Sequence, residues 1–341
     1  TGSVKGFAQT LVLGIVLSMF TALFVTRVLL NAFYAIGFTD MKWYGVGKEK
    51  KTKDFLSKKA IFFAVSLVVI AGGFVFMGVH KMQGGNTLNY SLEFIGGAST
   101  NVTFKEDMSI EALDSEVVPL LEEITGDGNV QSQKVQGTNE VIFKTRTLTV
   151  DEREQMANML TERFGVDENT IVVENISSTI SNEMKKDTII AVVIAVVLML
   201  IYIRIRFSDI RFGISSVAAL LHDVLVVLAF YAVARVSVGS TFIACLLTIV
   251  GYSINATIVI FDRIRENMAA AARITDLKEL VNRSISQTLS RSIFTSLTTF
   301  IMVAALYVFG VTSIREFALP LMVGIVCGTY SSVCLTGAMW Y

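Results

Sequence analysis

The sequence predicts a polytopic α-helical membrane protein of about seven spans carrying one extracytoplasmic ferredoxin-like α+β domain. Three observations carry that expectation. Hydrophobic residues make up 53% of the 341-residue chain and charged residues only 17%, too apolar for an ordinary soluble globule. Seven apolar runs approach or reach the roughly 20 residues that cross a bilayer. The one long hydrophilic interruption holds strand and helix signals in the order βαββαβ.

The runs cover 7–28, 60–79, 188–203, 212–233, 242–261, 293–309 and 317–339. They divide the chain into a membrane helix in 1–33, a Lys-rich linker in 34–59, a second span in 60–80, an insertion in 81–187 and a five-helix membrane bundle in 188–341. Lys42, Lys48, Lys50, Lys51, Lys53, Lys58 and Lys59 crowd the linker, which the positive-inside rule places in the cytoplasm. Alternating from there, the loops with Arg204, Arg206 and Arg211 and with Arg273, Lys278 and Arg283 fall on the same side. The nearly uncharged links 233–240 and 310–316 fall outside, together with the insertion.

Within the insertion, 87–104 reads as a strand with turn glycines, followed by an amphipathic helix capped by Ser109 and stopped at Gly126. Two short strands separated by Gly137 precede a second helix capped by Thr149, and 169–177 closes as a last strand. Two helices on one face of a four-stranded antiparallel sheet are expected.

The stretch 246–267 departs from an ordinary lipid-facing helix. Thr248, Tyr252, Asn255 and Ala256 fall on one helical face, which is expected to look inward. Asp262, Arg263, Arg265 and Glu266 end the run and mark the cytoplasmic exit, as an interface anchor or a gate. An ionisable group at membrane depth costs about 2.5 to 3.5 kcal/mol and is a functional candidate by default. Two qualify. Asp223 lies roughly 15 Å past Gly213, near the midplane, either as a proton-handling group or as a buried carboxylate hydrogen-bonded to His222 or a neighbouring helix. His222 itself is expected to pack.

Arg291 heads a stripe with Gln287, Thr295, Thr298 and Thr299 that is expected to face protein or water, unless the arginine snorkels to the surface. By helical rise, Asn255 and Ala256 lie about 9 Å and Arg291 about 10 Å from the cytoplasmic side, close enough in depth to be neighbours.

Cys245, Cys327 and Cys334 lie in apolar runs without paired spacing and are expected to be small buried residues. The formal net charge of zero gives no basis for nucleic-acid binding. With only His80 and His222 as histidines, no catalytic triad, no phosphate loop and no metal-ligand spacing, no enzymatic activity, cofactor or metal is expected.

The words GYSIN at 251–255 and FDRIREN at 261–267 closely resemble the fourth membrane helix of the SecF half of the SecDF protein-export family, within the RND superfamily. The resemblance covers nearly everything from about residue 55 onward. The helix in 1–33 is similar to the last membrane helix of the SecD half, as in a fused chain cut just before that helix. Glu93, Phe94, Gly96 and Gly97 match the family's motif at the start of the outer domain, with Glu93 where the family usually has Asp. Taken alone, the two glycines indicate a tight turn, a close approach or a β-bulge.

The resemblance implies an accessory subunit of the Sec translocon that uses the proton-motive force to promote protein export across the bacterial cytoplasmic membrane. Its implied partners are a SecD half, the SecYEG translocon and the translocating polypeptide. In the family an acid follows Asn255 and works with the arginine matching Arg291 in proton movement; this chain has Ala256. A carboxylate beside an arginine stays ionised until a conformational change parts them, and then takes up a proton. Three accounts of Ala256 stand open: an introduced substitution, a lineage in which Asp223 or an acid of the SecD half takes the proton step, or a protein that does not couple to protons. Two other functions follow from the same residues, an RND-type exporter of small molecules or lipids and a non-coupled scaffold of the translocon.

Overall fold

Hydrocarbon satisfies no backbone N–H or C=O, so an apolar chain must close its own hydrogen bonds, and this one does so as helices. The computed structural model describes residues 2–40, 43, 51–82, 86–126, 128, 130–135, 138–207, 209–270, 276–310 and 312–341. Lys42, Lys48, Lys50, Gly137 and Arg273 lie outside the described residues. Among those described, seven helices are long and apolar enough to span a membrane. The chain divides into a helical unit (Thr1–Thr87, Ala195–Val236, Ser240–Tyr341) and a mixed unit (Leu88–Ile194, Ser237–Gly239).

In chain order, α1 runs through Gly2–Phe20, a π-helical segment Thr21–Val25 and Thr26–Ile36, and ends on Gly37 at φ 111°. None of its described residues is buried. Helix α2 is Lys59–Met82.

The mixed unit follows, with β1 (Gly97–Thr103), α3 (Ile110–Ala112, Leu113–Val117 and Val118–Thr125), β2 (Gln131–Lys134), β3 (Glu140–Thr145), α4 (Val150–Phe164) and β4 (Val172–Ile176). The described strands form one antiparallel sheet in the order β2-β3-β1-β4, as the βαββαβ pattern requires. Strand alternation puts Ala98, Thr100, Val102, Val141 and Phe143 on the buried face, where they meet Leu113, Val117 and Leu121 of α3 and Met156 and Leu160 of α4. Both helix starts are capped where the sequence indicates. Ser109 Oγ accepts from the Ala112 N–H at 3.2 Å, and Thr149 with Glu152 completes a capping box. Gly126 and Gly165 stop the helices in the left-handed region, at φ 61° and 62°.

The first strand is shorter than expected. Leu92–Ile95 forms a helical turn, so Glu93 and Phe94 are not in the sheet, and β1 starts at Gly97. Gly96 and Gly97 have φ of 76° and 113°, so the pair marks a left-handed break before the strand rather than a β-bulge. A Cβ on Gly97 would also collide with the Thr145 carbonyl oxygen.

Glu152 makes a pH prediction. Hydrogen bonds from Arg146 and from the Thr149 backbone hold its carboxyl at about 2, below the ordinary value of 4.5. A depressed carboxyl contributes stability that is complete above the ordinary value and is lost as pH falls through the depressed one. The loss is therefore expected between about 4.5 and about 2. Glu152→Gln should lower the mixed unit's stability at neutral pH and flatten its acid limb, as read by melting temperature against pH; an unchanged limb counts against the assignment.

The remaining helices are α5 (Ser178–Arg206), α6 (Ile210–Ala234), α7 (Ser240–Ala270), α8 (Leu277–Phe309) and α9, which runs from Thr312–Tyr330 through a π-helical segment Ser331–Thr336 to Gly337–Trp340. Phe212 stands between Phe261 and Trp340, with ring centroids 4.7 and 5.0 Å away, at the end of the bundle that holds Arg206 and Asp262. Gly73 of α2 sits so close to Ala229 of α6 that a Cβ would overlap it, the small-residue approach that lets membrane helices pack. Helix α8 begins well before the expected span because its first turns are polar. Asn282, Ser284, Ser286 and Thr288 are nevertheless buried.

Those polar turns hold the linker. Asn282 Oδ1 accepts from the backbone N–H groups of Phe55 and Leu56 at 3.0 and 3.1 Å, and Ser286 Oγ accepts from the Lys53 N–H at 2.9 Å. Asp54 Oδ1 accepts from Asn282 Nδ2 at 2.9 Å, and Lys278 stands 3.4 Å from Oδ2. The hydroxyl and N–H of Ser57, with Asn282 and Lys278, hold the Asp54 carboxyl at about 2. A segment of the Lys-rich linker is thus fastened to the start of α8.

Candidate functional site

Asp223 lies midway along α6 and is fully buried. A lone carboxylate there is untenable in hydrocarbon, and three helices supply its partners. Ser253 of α7 and Ser331 of α9 donate their hydroxyls to Oδ2 at 2.5 and 2.8 Å. The Cys327 thiol of α9 donates to Oδ1 at 3.2 Å, and His222 Nδ1 lies 2.9 Å from the same oxygen. Ser331 opens the π-helical segment of α9, and such insertions re-aim side chains at functional sites.

The expectation of a hydrogen-bonded carboxylate linked to His222 and to neighbouring helices is met. Cys327 is buried as expected and also serves as a donor. His222 Nδ1, Asp223 Oδ1 and Cys327 Sγ lie within 4.8 Å of one another. Because the imidazole and the thiol already direct hydrogen-bonding atoms at the carboxylate, they are its hydrogen-bond partners.

A hydroxyl seam continues alongside. Tyr252 of α7 donates to Ser296 Oγ of α8 at 2.8 Å, and Thr329 of α9 donates to the same oxygen at 2.5 Å. Beside it, Tyr252, Asn255, Ala256, Val259, Arg291, Ser292 and Thr295 line a cavity of about 60 Å³. The depth argument that made Asn255, Ala256 and Arg291 neighbours is realised.

The expected orientation is corrected by one helical position. On α7 the buried residues include Cys245, Ile249, Ser253 and Thr257, whereas Thr248, Tyr252 and Ala256 are half-buried and Asn255 is exposed. On α8, Ser292 and Ser296 are buried while Arg291, Thr295 and Thr298 are exposed. Thr298 and Thr299 return their hydroxyls to carbonyls of their own helix. Among the described residues Arg291 has neither a hydrogen bond nor an ion pair, so this chain presents an uncompensated guanidinium beside the cavity at Ala256.

The exit cluster is anchored. Asp262 pairs with Arg206 of α5, Arg265 stands 3.8 Å from Asp262, and Arg263 pairs with Glu266 at 2.7 Å. Arg263 also donates to Gln287 Oε1 of α8 at 2.6 Å. In the mixed unit, the turn carrying Glu93 and Phe94 follows a backbone pairing in which the Ser91 N–H donates to the Val238 carbonyl at 2.9 Å and the Val238 N–H to the Asn89 carbonyl at 2.7 Å. The Glu93 motif therefore lies beside a backbone clamp.

A bundle of membrane helices with a caged carboxylate, and a ferredoxin-like unit inserted between its second and third spans, defines a multi-pass membrane protein of a transport type. Residues 155–341 match the family described as protein export membrane protein SecD/SecF, C-terminal. The chain is 36% identical over 284 residues to protein translocase subunit SecF of Acidaminococcus fermentans, covering 82% of this chain and 93% of that protein. It is 34% identical over 364 residues to protein translocase subunit SecDF of Bacillus subtilis, covering 100% of this chain and 47% of that one. The crystal structure of SecDF, a translocon-associated membrane protein from Thermus thermophilus, superposes with a TM-score of 0.86 at 32% identity over 99% of this chain and 45% of that one. The chain belongs to the SecD/SecF protein-export family and corresponds to the SecF half, spanning about half the length of its SecDF relatives.

Proposed function

We propose that this chain, together with a SecD-like half, is an accessory subunit of the Sec translocon that uses the proton-motive force to promote polypeptide export, with no covalent catalysis of its own. It works beside SecYEG in the bacterial cytoplasmic membrane, with the mixed unit on the outer side where the polypeptide emerges. The observation that supports this most is the uncompensated Arg291 beside the cavity at Ala256, one helical position from the hydroxyl seam. A cation at membrane depth in that setting needs a counter-charge, and a carboxylate from the SecD-like half would supply one that proton uptake removes. Asp223 is the second proton-handling group. The mixed unit's core is filled by one small fold, which favours handling of a polypeptide over an exporter with an apolar substrate chamber.

Ala256 supports a second reading, a scaffold of the translocon without proton coupling. The test compares secretion by this chain and by Ala256→Asp, each joined to its SecD-like half, in cells depleted of their own export subunit, with and without the proton-motive force. Proton-dependent secretion by either version supports coupling. Secretion by both that ignores the proton-motive force supports the scaffold, and secretion by neither removes the export assignment.

A further inference from the structure

The cavity beside Ala256 is walled by a cation and by hydrogen-bond donors. Arg291 brings a guanidinium to it, Asn255 an amide and Thr295 a hydroxyl, and among the described residues no aspartate or glutamate lines it. Among those same residues none of these three side chains has a hydrogen-bond or ion-pair partner. Ser292, on the same wall, keeps its Oγ buried without a partner, whereas Tyr252 already donates to Ser296. A full positive charge with neutral donors around it and no carboxylate suits an anion and repels a cation.

Size and charge narrow the class. The cavity measures about 60 Å³, several times the roughly 10 to 15 Å³ that a water needs by the same measure, which suits a halide with part of its hydration shell. One guanidinium at membrane depth is neutralised by one negative charge, and a divalent anion would leave a net charge in hydrocarbon. The way in from the helix exit is short. Gln287 lies one turn before Arg291 on α8, about 6 Å by helical rise, and is exposed. It accepts from Arg263 and Asn267 at 2.6 and 2.9 Å. The exit cluster sets Arg206, Arg263 and Arg265 against Asp262 and Glu266, three positive charges to two negative, so the field at the mouth draws anions.

We propose that Arg291, Asn255 and Thr295 bind one monovalent inorganic anion, chloride, beside the methyl group of Ala256. The guanidinium supplies the charge and two or more N–H donors, while the Asn255 amide and the Thr295 hydroxyl position the ion. An acid at position 256 would place a tethered negative charge in this cavity; with Ala256 a diffusible ion supplies the same unit of charge. The two differ in one respect. A carboxylate loses its charge by taking up a proton, whereas chloride keeps its charge and changes the balance at Arg291 only by leaving. A carboxylate of the SecD-like half is the competing occupant of the same guanidinium, and the two exclude each other.

The inference goes beyond the export reading, and its test needs no export. The chain is co-purified with its SecD-like half in discs of zwitterionic lipid, and binding of radiolabelled chloride is measured by scintillation proximity, with ionic strength held constant by gluconate. Saturable binding of one chloride per chain is expected, displaced by bromide and not by gluconate or inorganic phosphate. Arg291→Gln is expected to weaken it by at least about ten-fold, the size of a lost charge-assisted hydrogen bond, and Asn255→Ala by less. Ala256→Asp fills the place of the ion with a carboxylate and is expected to abolish binding, with an undiminished melting temperature to show that the variant is folded. Thr298→Ala, which removes a hydroxyl already returned to its own helix, should leave binding unchanged. Chloride should also raise the melting temperature of wild type and not that of Ala256→Asp. Absence of saturable chloride binding overturns the proposal and leaves a carboxylate as the counter-charge. Binding that survives Ala256→Asp or Arg291→Gln unchanged also overturns it, since the ion then sits elsewhere, and displacement by phosphate as readily as by bromide overturns the halide assignment. None of these failures touches the export reading, which is decided by secretion.

Discussion

Replacing Asp223 by alanine is expected to be among the most damaging single changes in the helical unit, lowering stability by roughly 3 kcal/mol or more. The effect comes from the partners left behind. Two hydroxyls, a thiol and an imidazole converge on the carboxylate from three helices, and its removal takes that partner from all four in a region without solvent, with Ser331 alone keeping a second acceptor in the Gly328 carbonyl at 3.2 Å. Asp223→Asn should do less harm, because the amide keeps one acceptor oxygen while presenting an NH₂ to groups that are themselves donors. Adding Ser253→Ala to Asp223→Ala should cost less than the two separate effects predict, since the second change removes a donor already stranded. Thermal unfolding in detergent gives the comparison. A melting temperature for Asp223→Ala within a degree or two of wild type would mean that the cage contributes nothing to holding α6, α7 and α9 together.

The second large effect is expected from Ala256→Asp. The cavity beside Arg291 measures about 60 Å³, and a water needs only about 10 to 15 Å³ by the same measure, so a carboxylate fits without moving a helix. An introduced carboxylate should find the guanidinium, stabilising the protein by about 1 kcal/mol in detergent, where the pair is partly solvated. The double change Ala256→Asp with Arg291→Gln should lose that gain and fall below Arg291→Gln alone, because a carboxylate without its cation is then left at membrane depth. Equal effects of Ala256→Asp with and without Arg291 would show that the two positions do not communicate.

Much of the architecture was legible because membrane helices and capped amphipathic helices are written in local patterns. Ser109, Thr149 and Gly126 marked the helices of the mixed unit, since a cap needs only a few neighbouring residues to declare itself. Asp223 and Arg291 stood out because charge in an apolar run is costly wherever the helix points. The partners of Asp223 did not stand out. Ser253, Cys327 and Ser331 are ordinary small residues whose meaning comes from helices that meet far apart in the sequence. Periodicity found a polar stripe on α7 and α8 but missed the buried face by one position, because a small hydroxyl hidden in its own helix looks no different in sequence from an exposed one. The start of α8 was hidden for a related reason: Asn282 stands beside Arg283 in what reads as a loop, and its burial is explained only by the linker that it binds.

That attachment has a mechanical consequence. The fastening of residues 53–56 to Asn282 and Ser286 ties the chain just before α2 to the first turns of α8, so that a force on that segment is delivered at one end of a rod. The rod is α8, and Arg291 rides on it about 13 Å beyond Asn282 by helical rise. A pull on the linker would tilt or turn α8 about the helices that pack along it, sweeping the guanidinium across the membrane plane. In such a lever the hydrogen bonds at Asn282 are the point where force enters, and Arg291 is the part that travels.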